Sequence, residues 1–152
     1  MHGRRGMSGR LRSQETCACT RRAVLALAAV ALLAPRAKAA PPEHQEFIEA
    51  AFRMKDEAVR AGDQAFGAVV VKDRRIIGFG PSRVILRRDW TAHAEREAMR
   101  EAQARLGSSD LRGCLLYSTS RPCSNCEAAA AAAGIARMFH GGDATDAGVP
   151  RA

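Results

Sequence analysis

The 152-residue chain carries a formal net charge of +8, but the excess charge is concentrated at one end. Residues 1–39 contain eight Lys or Arg residues and one acidic residue, whereas residues 40–152 contain 16 basic and 15 acidic residues. A strongly basic domain would indicate a nucleic-acid partner, and the near-neutral balance of residues 40–152 removes the support for that interpretation. These 113 residues suffice for one compact domain, because no internal repeat or low-complexity linker divides them.

The first 39 residues have the pattern of an export signal. Arg21 and Arg22 stand just before an apolar run over 23–34, and residues 37–39 have the small-x-small form of a signal-peptidase site. This segment resembles a twin-arginine signal peptide, so a periplasmic or secreted location is predicted. Twelve apolar residues are too few to span a bilayer, which needs about 20, and no membrane anchor is expected. The alternative is an alanine-rich helical extension on a cytoplasmic protein.

Hydrophobic periodicity predicts one α/β domain over residues 40–152. Apolar residues recur at helical spacing from Glu43 to Ala61, and Gly62 ends that helix. Two strands, Ala65 to Lys72 and Arg75 to Gly80, are expected to form a hairpin. The remaining predicted elements are a helix capped by Thr91 and ending near Leu106, a strand over Cys114–Thr119, a helix over Pro122–Ala133 and a strand over Ile135–His140.

Two short segments carry the residues that predict a metal site. His93 and Glu95 lie at the start of one predicted helix, and Cys123 and Cys126 lie at the start of another. A helix that opens at Pro122 places both thiols on one face of its first turn, where the helix dipole favours thiolate. With His93 they supply three Zn²⁺ ligands and leave the fourth position for water, as in catalytic zinc sites. Glu95 can then carry protons beside the metal without binding it.

Simpler interpretations exist for each residue alone. A Cys-x-x-Cys pair also occurs in redox proteins and in structural zinc knuckles. A lone His or Glu in a first helical turn is commonly a cap or a solvated group. Of the other cysteines, Cys17 and Cys19 fall in the first 39 residues, and Cys114 lies in an apolar strand as a buried small hydrophobe. The combination of His, Glu and the Cys pair is what favours zinc.

The order His-Ala-Glu followed by Pro-Cys-x-x-Cys resembles the zinc-dependent cytidine, deoxycytidylate, guanine and tRNA-adenosine deaminases. Residues 65–71, 116–119 and 133–137 resemble further segments of that family, so the similarity covers 43 to about 141. It implies a cytidine-deaminase-like three-layer α/β fold with a mixed central sheet flanked by helices. It also implies hydrolytic deamination, in which zinc activates water against a nucleobase carbon and Glu95 shuttles protons until ammonia leaves.

The chain departs from the family pattern around the expected pocket. Ser82 stands where the tRNA-adenosine and guanine branches usually place an Asn that contacts the base, and Trp90 replaces the usual Pro before Thr-Ala-His. Arg121 replaces the usual Glu before Pro-Cys, where it is either an exposed side chain or a partner for an acidic substrate group. Trp90 could stack on a base or pack a loop. Ser82 and Trp90, with Phe66 and Ala94 from the matching segments, are the expected substrate contacts.

The end of the sequence is a second departure. After Gly141 only eleven polar and Gly-rich residues follow, where many family members continue into another strand and one or two helices. The domain is therefore expected to be truncated at its C-terminus and to leave a sheet edge open. An open edge is a site for pairing with another chain, which makes a homodimer an expected assembly.

Three functions follow from these observations. The preferred one is zinc-dependent deamination of a small nucleobase or nucleoside of the guanine or cytosine type, favoured by the near-neutral domain and the export signal. The second is tRNA-adenosine deamination, which needs a cationic surface for the phosphate backbone and makes nucleic acid the less favoured partner. The third is a non-catalytic domain that zinc stabilises and that binds a ligand without turnover.

Overall fold

The computed structural model describes residues 40–152, so the predicted export signal lies outside the described residues. The helices are α1 (Pro42–Arg60), α2 (Val84–Arg87), α3 (Ala94–Leu106) and α4 (Ser124–Ala133). The strands are β1 (Gly67–Lys72), β2 (Arg75–Pro81), β3 (Leu115–Ser118), β4 (Arg137–His140) and β5 (Thr145–Gly148). Within this part of the chain, no helix has both the length and the apolar character needed to cross a membrane.

The five strands form one mixed sheet in the order β2-β1-β3-β4-β5. β1 pairs antiparallel with β2 and β3, β3 pairs parallel with β4, and β4 pairs antiparallel with β5. The β1–β2 hairpin turns at Asp73 and Arg74, which both have positive φ. Two consecutive residues of that kind match a tight hairpin turn whose twist suits the sheet. The parallel β3–β4 pair needs a crossover connection, and α4 supplies it.

The helices cover the two faces of the sheet separately, which makes three layers. α3 and α4 pack on one face in a core that includes Ala98, Met99, Leu116 and Met138. α1 packs on the other face with residues such as Phe47 and with Val69, Tyr117 and Phe139 of the sheet. The sequence-based prediction of a three-layer α/β fold with a mixed sheet is thus confirmed.

Two glycines let the helices approach the sheet closely. A Cβ atom added at Gly80 of β2 would lie 2.0 Å from the carbonyl oxygen of Ala94 at the start of α3. At Gly67 of β1 it would lie 2.2 Å from the Ala51 carbonyl oxygen of α1. Such distances exclude any side chain, so glycine at these positions sets how closely α3 and α1 lie against the strands.

Several element boundaries differ from their predictions. His93, and not Thr91, is the N-cap of α3, and Cys123 is the N-cap of α4, which begins two residues after Pro122. The four-residue helix α2 was not predicted. The expectation that no strand follows Gly141 was wrong, because β5 pairs with β4 there. Its residues are exposed or half-buried, so no apolar alternation indicated a strand.

Candidate metal centre and substrate cavity

The candidate site is formed at one end of the sheet by three segments: the loop before β1, the segment after β2 and the segment after β3. The start of β1 lies opposite the ends of its two neighbours, since Gly67 pairs with Pro81 of β2 and Ala68 pairs with Ser118 of β3. Backbone hydrogen bonds continue this pairing beyond the strands: the Ser82 N–H donates to the Phe66 carbonyl (3.1 Å), and the Thr119 N–H donates to the Gly67 carbonyl (2.9 Å). The segments leading to α3 and α4 therefore leave the sheet at the same end, on either side of β1.

The predicted metal ligands come together at the starts of these two helices. His93 and Cys123 are N-caps with extended backbone, and Cys126 lies in the first turn of α4. The Nδ1 atom of His93 lies 3.7 Å from the Cys123 Sγ atom and 3.5 Å from the Cys126 Sγ atom. These three are the group of potential ligands found among residues 40–152, with their ligand atoms all within 4.8 Å of one another.

The donor set fits a zinc ion. A tetrahedral site with Zn–S of about 2.3 Å and Zn–N of about 2.0 Å requires a sulfur-to-nitrogen separation of about 3.6 Å. Both observed separations, 3.7 and 3.5 Å, lie close to that value. Two thiols and one imidazole are also ligand types that zinc prefers in proteins. The three side chains are thus arranged to hold Zn²⁺ with one coordination position left over.

Cys126 has a chemical environment that differs from the sequence-based expectation of a stabilised thiolate. Its side chain is fully buried, and that burial, followed by the nearby Glu95 carboxylate, raises the pKa of the thiol well above its usual range. The helix start alone therefore does not make Cys126 a thiolate. A bound cation would reverse this balance, because a thiol that coordinates zinc is deprotonated outright.

Glu95 lies beside the three ligands as a buried carboxyl group. It is 7% exposed, and the Cys126 Sγ atom lies 3.6 Å from its Oε2 atom. Burial raises the pKa of this carboxyl, and the opposing contributions of its own backbone N–H, the Cys126 thiol and His93 are smaller. Burial thus makes this carboxyl hold a proton more readily than an exposed one, a property that suits a general acid and base.

A cavity of about 130 Å³ opens at this centre. Its buried floor includes Ala94, Glu95 and Ser82, and its exposed rim includes Phe66 and Arg121. The other residues that line it are Gln64, His93, Ser120 and Cys123. Three of the four predicted substrate contacts, Phe66, Ala94 and Ser82, thus line the cavity that contains Glu95. The sequence did not single out Gln64 or Ser120, although both directly adjoin segments that resemble the family.

Ser82 lies in the cavity wall with its hydroxyl already engaged. Its Oγ–H donates to the Oδ1 atom of Asp63 at 2.8 Å, and the residue is fully buried. The Oδ2 atom of Asp63 accepts from the N–H groups of Ile85 and Leu86, both at 3.0 Å. Burial opposes the charge on Asp63, but these donors and the Gln64 N–H hold the pKa of its carboxyl below the usual range. Asp63 therefore ties the cavity wall to α2.

Trp90 is placed differently from the other predicted contacts. Its side chain is 79% exposed and lines a neighbouring cavity of about 430 Å³, which also touches His93, Cys126 and Arg96. That cavity does not include Glu95 among its lining residues. The structure thus places Trp90 near His93 and Cys126 but outside the cavity that Glu95 lines.

Fold and site together define a three-layer α/β protein with a His-Cys-Cys metal centre next to a buried carboxyl group. The sequence profile of the cytidine and deoxycytidylate deaminase zinc-binding region matches residues 41–141. The chain therefore belongs to the cytidine and deoxycytidylate deaminase family of zinc-dependent hydrolases.

Several relatives of known activity are similar to this chain. The guanine deaminase of Bacillus subtilis (strain 168) is 40% identical over 105 residues, which are 68% of this chain and 67% of the relative. The tRNA-specific adenosine deaminase of Aquifex aeolicus (strain VF5) is 40% identical over 80 residues, which are 53% of each. The chain thus spans about half to two thirds of the length of these two relatives.

Solved structures agree with the same assignment of the fold. The X-ray structure of guanine deaminase from Bacillus subtilis superimposes with a TM-score of 0.63 at 39% sequence identity, covering 66% of this chain and 64% of that one. A tRNA:A34 deaminase structure gives a TM-score of 0.62 at 37% identity, covering 64% of this chain and 75% of that one. Both solved structures share the arrangement of sheet and helices seen in this chain.

Proposed function

We propose that this protein is a zinc-dependent hydrolytic deaminase that acts on a small nucleobase or nucleoside of the guanine or cytosine type. The observation that carries the proposal is the position of Glu95. This carboxyl is buried in the same cavity as His93 and Cys123, and it lies 3.6 Å from the Cys126 sulfur atom. A domain that used zinc only for stability would have no need of a buried carboxyl group beside an open coordination position.

The chain's own residues account for the proton movements of a deamination. When bound by His93, Cys123 and Cys126, zinc supplies Lewis-acid activation of a water molecule near neutral pH. Glu95 accepts a proton from the attacking water and delivers it to the departing amino group. A C–O bond forms, the C–N bond breaks, and ammonia leaves. The burial of Glu95 limits competing proton exchange with solvent.

The cavity and the charge favour a small substrate. Pockets for drug-sized ligands have volumes of about 300–1,000 Å³. The cavity at Glu95, at about 130 Å³, is smaller and suits a single nucleobase. Residues 40–152 are nearly neutral, whereas proteins that bind a polyanion use several cations to neutralise phosphates.

A turnover screen tests this proposal. The zinc-loaded mature protein, residues 40–152, is expected to release ammonia from guanine or a cytosine compound, and to leave a tRNA anticodon stem that contains adenosine unchanged. Cytidine, adenine and adenosine complete the panel.

The variant Ser82→Asn is run beside the parent in the same screen. The Ser82 hydroxyl is bonded to Asp63, whereas the longer Asn amide would enter the cavity. The relative kcat/KM values of the bases are therefore expected to change by about tenfold or more.

Two outcomes of the screen would contradict the preferred function. Activity on the tRNA stem alone would support tRNA-adenosine deamination, a function suggested by the similarity to tRNA-specific adenosine deaminases. No ammonia from any compound of the panel, in protein that contains stoichiometric zinc, would support the non-catalytic alternative.

A homodimer stays a prediction. The elution volume of the same preparation in size-exclusion chromatography tests it.

We further propose that the protein is exported, with cleavage after Ala39. Support comes from the arginine pair, the short apolar run and the small-x-small sequence in residues 1–39. Replacing Arg21 and Arg22 together with Lys keeps the charge and is expected to retain the protein in the cytoplasm, while the parent is found outside it with Ala40 as its first residue. N-terminal sequencing and fractionation measure both effects. A full-length cytoplasmic product that begins at Met1 would contradict export.

A further inference from the structure

The cavity at Glu95 contains polar side chains that neither metal binding nor proton transfer uses. His93 and Cys123 are ligands, Glu95 moves protons, and Phe66 and Ala94 are apolar. The hydroxyl proton of Ser82 is donated to Asp63. Among the described residues that line this cavity, the polar side chains left to recognise a base are those of Gln64, Ser120 and Arg121.

Gln64 is distinguished by the hydrogen-bonding groups that it offers. A carboxamide presents a donor and an acceptor side by side, whereas a guanidinium only donates and a hydroxyl is a single group. Base rings likewise present neighbouring donors and acceptors along their edges, which amide side chains recognise in a bidentate manner. Within residues 40–152 the Gln64 side chain has no hydrogen-bond partner, so both of its groups are available in the exposed rim of the cavity.

The backbone of Gln64 is fixed on both sides, although the residue is in a loop. Its N–H donates to the Asp63 Oδ1 atom at 2.7 Å, and its carbonyl accepts from the Phe66 N–H at 2.7 Å. Asp63 Oδ1 also accepts the Ser82 hydroxyl, which places Gln64 beside the wall position of Ser82. A side chain on such a fixed backbone loses less conformational freedom on binding than one on a mobile loop.

We propose that Gln64 orients the substrate, with its carboxamide bonded to the edge of the base and its backbone held by Asp63. The inference rests on the proposed function, because it assumes that a nucleobase occupies the cavity. It adds Gln64, in the loop before β1, as a specificity-determining residue. Its side-chain amide would take the place of the Asn amide that is absent at Ser82.

Substitution of Gln64 tests the inference in zinc-loaded, full-length protein. Gln64→Ala is expected to lower kcat/KM for the best substrate of the screen by about ten- to a hundredfold, because a bidentate contact is lost. Gln64→Glu keeps the side-chain length but loses the donor, and a similar or larger loss is expected. Gln45→Ala on α1, whose amide bonds Glu49 away from the cavity, is the matched control and is expected to match the parent.

A merely structural role of Gln64 would lower zinc content or melting temperature in its variants. Under the proposal, zinc content and melting temperature are expected to be equal in the parent and both Gln64 variants. The parent is expected to have a lower kcat/KM for substrate analogues that lack one ring nitrogen than for the substrate itself. This difference is expected to be smaller in Gln64→Ala. Values of kcat/KM within twofold of the parent for Gln64→Ala, or unchanged analogue discrimination, would overturn the inference.

The dissociation constant of the base, measured by isothermal titration calorimetry, separates this inference from the proposed function. In a Glu95→Gln background, which removes the proton carrier, the dissociation constant of the base is expected to rise about ten- to a hundredfold on adding Gln64→Ala. An unchanged dissociation constant would overturn the role of Gln64 while leaving deamination intact. Failure of the parent to bind or convert any base of the panel would overturn both.

Discussion

Replacing Glu95 with Gln is expected to lower kcat by about 10²- to 10⁴-fold while zinc content and fold are retained. The carboxamide has nearly the same size as the carboxyl, so the buried site keeps its packing. It cannot accept a proton from water and pass it to a leaving amino group. Because burial raises the pKa of Glu95, the neutral amide also avoids part of the cost of a buried charge, and the melting temperature is expected to stay equal or rise.

The measurement is ammonia release at saturating substrate, with zinc analysis and thermal unfolding on the same preparations. Glu46→Gln, an exposed residue of α1, is the matched control and is expected to match the parent. Equal rates for Glu95→Gln and the parent on a confirmed substrate would show that Glu95 does not carry the proton.

Replacing Cys126 with Ser is expected to release zinc and to destabilise the domain. The residue is fully buried at the metal centre, and metal binding energy contributes to folding free energy when the unfolded chain lacks a formed site. A ligand present at about 1,000 times its Kd stabilises the native state by about 4 kcal/mol. Loss of that stabilisation lowers the melting temperature of a domain of this size by roughly 10 °C or more.

Chelator treatment gives this prediction its internal control. The melting temperature of the parent is expected to fall on addition of a chelator, whereas that of Cys126→Ser is expected to stay unchanged. Cys123→Ser is expected to behave in the same way. Cys114→Ala, which removes a buried thiol from the core on the α3 side, is expected to keep one zinc per chain. Stoichiometric zinc in both ligand variants would contradict the assigned site.

The parts of the fold that were predictable have local signals in the sequence. The first helix was expected from Glu43 to Ala61 and extends from Pro42 to Arg60, because apolar periodicity and Gly62 define it. The convergence of His93, Cys123 and Cys126 was predictable because His93 and Cys123 are helix N-caps and Cys126 lies in the first turn, where the spacing of residues is fixed. Element pattern predicted an α/β domain, and the three-layer arrangement that the structure confirms was implied by the family resemblance.

The parts that were missed depend on contacts between distant residues. Helix α2 has only four residues, and the N–H groups of its second and third residues, Ile85 and Leu86, donate to Asp63, about twenty residues earlier in the chain. β5 has no apolar alternation and exists because it pairs with the edge of β4. The hydrogen bond from Ser82 to Asp63 and the position of Gln64 in the cavity lining could not be predicted from spacing, since both depend on how distant loops pack.

Isotope incorporation tests the central claim of hydrolytic deamination most directly. The zinc-loaded full-length protein is incubated in ¹⁸O-labelled water with the substrate that releases most ammonia in the screen. One ¹⁸O atom is expected in each product base, at the carbon that lost its amino group, together with one equivalent of ammonia, and Glu95→Gln is expected to slow both equally. Ammonia without ¹⁸O in the product, or no product from any base in protein with a full zinc complement, would contradict the account.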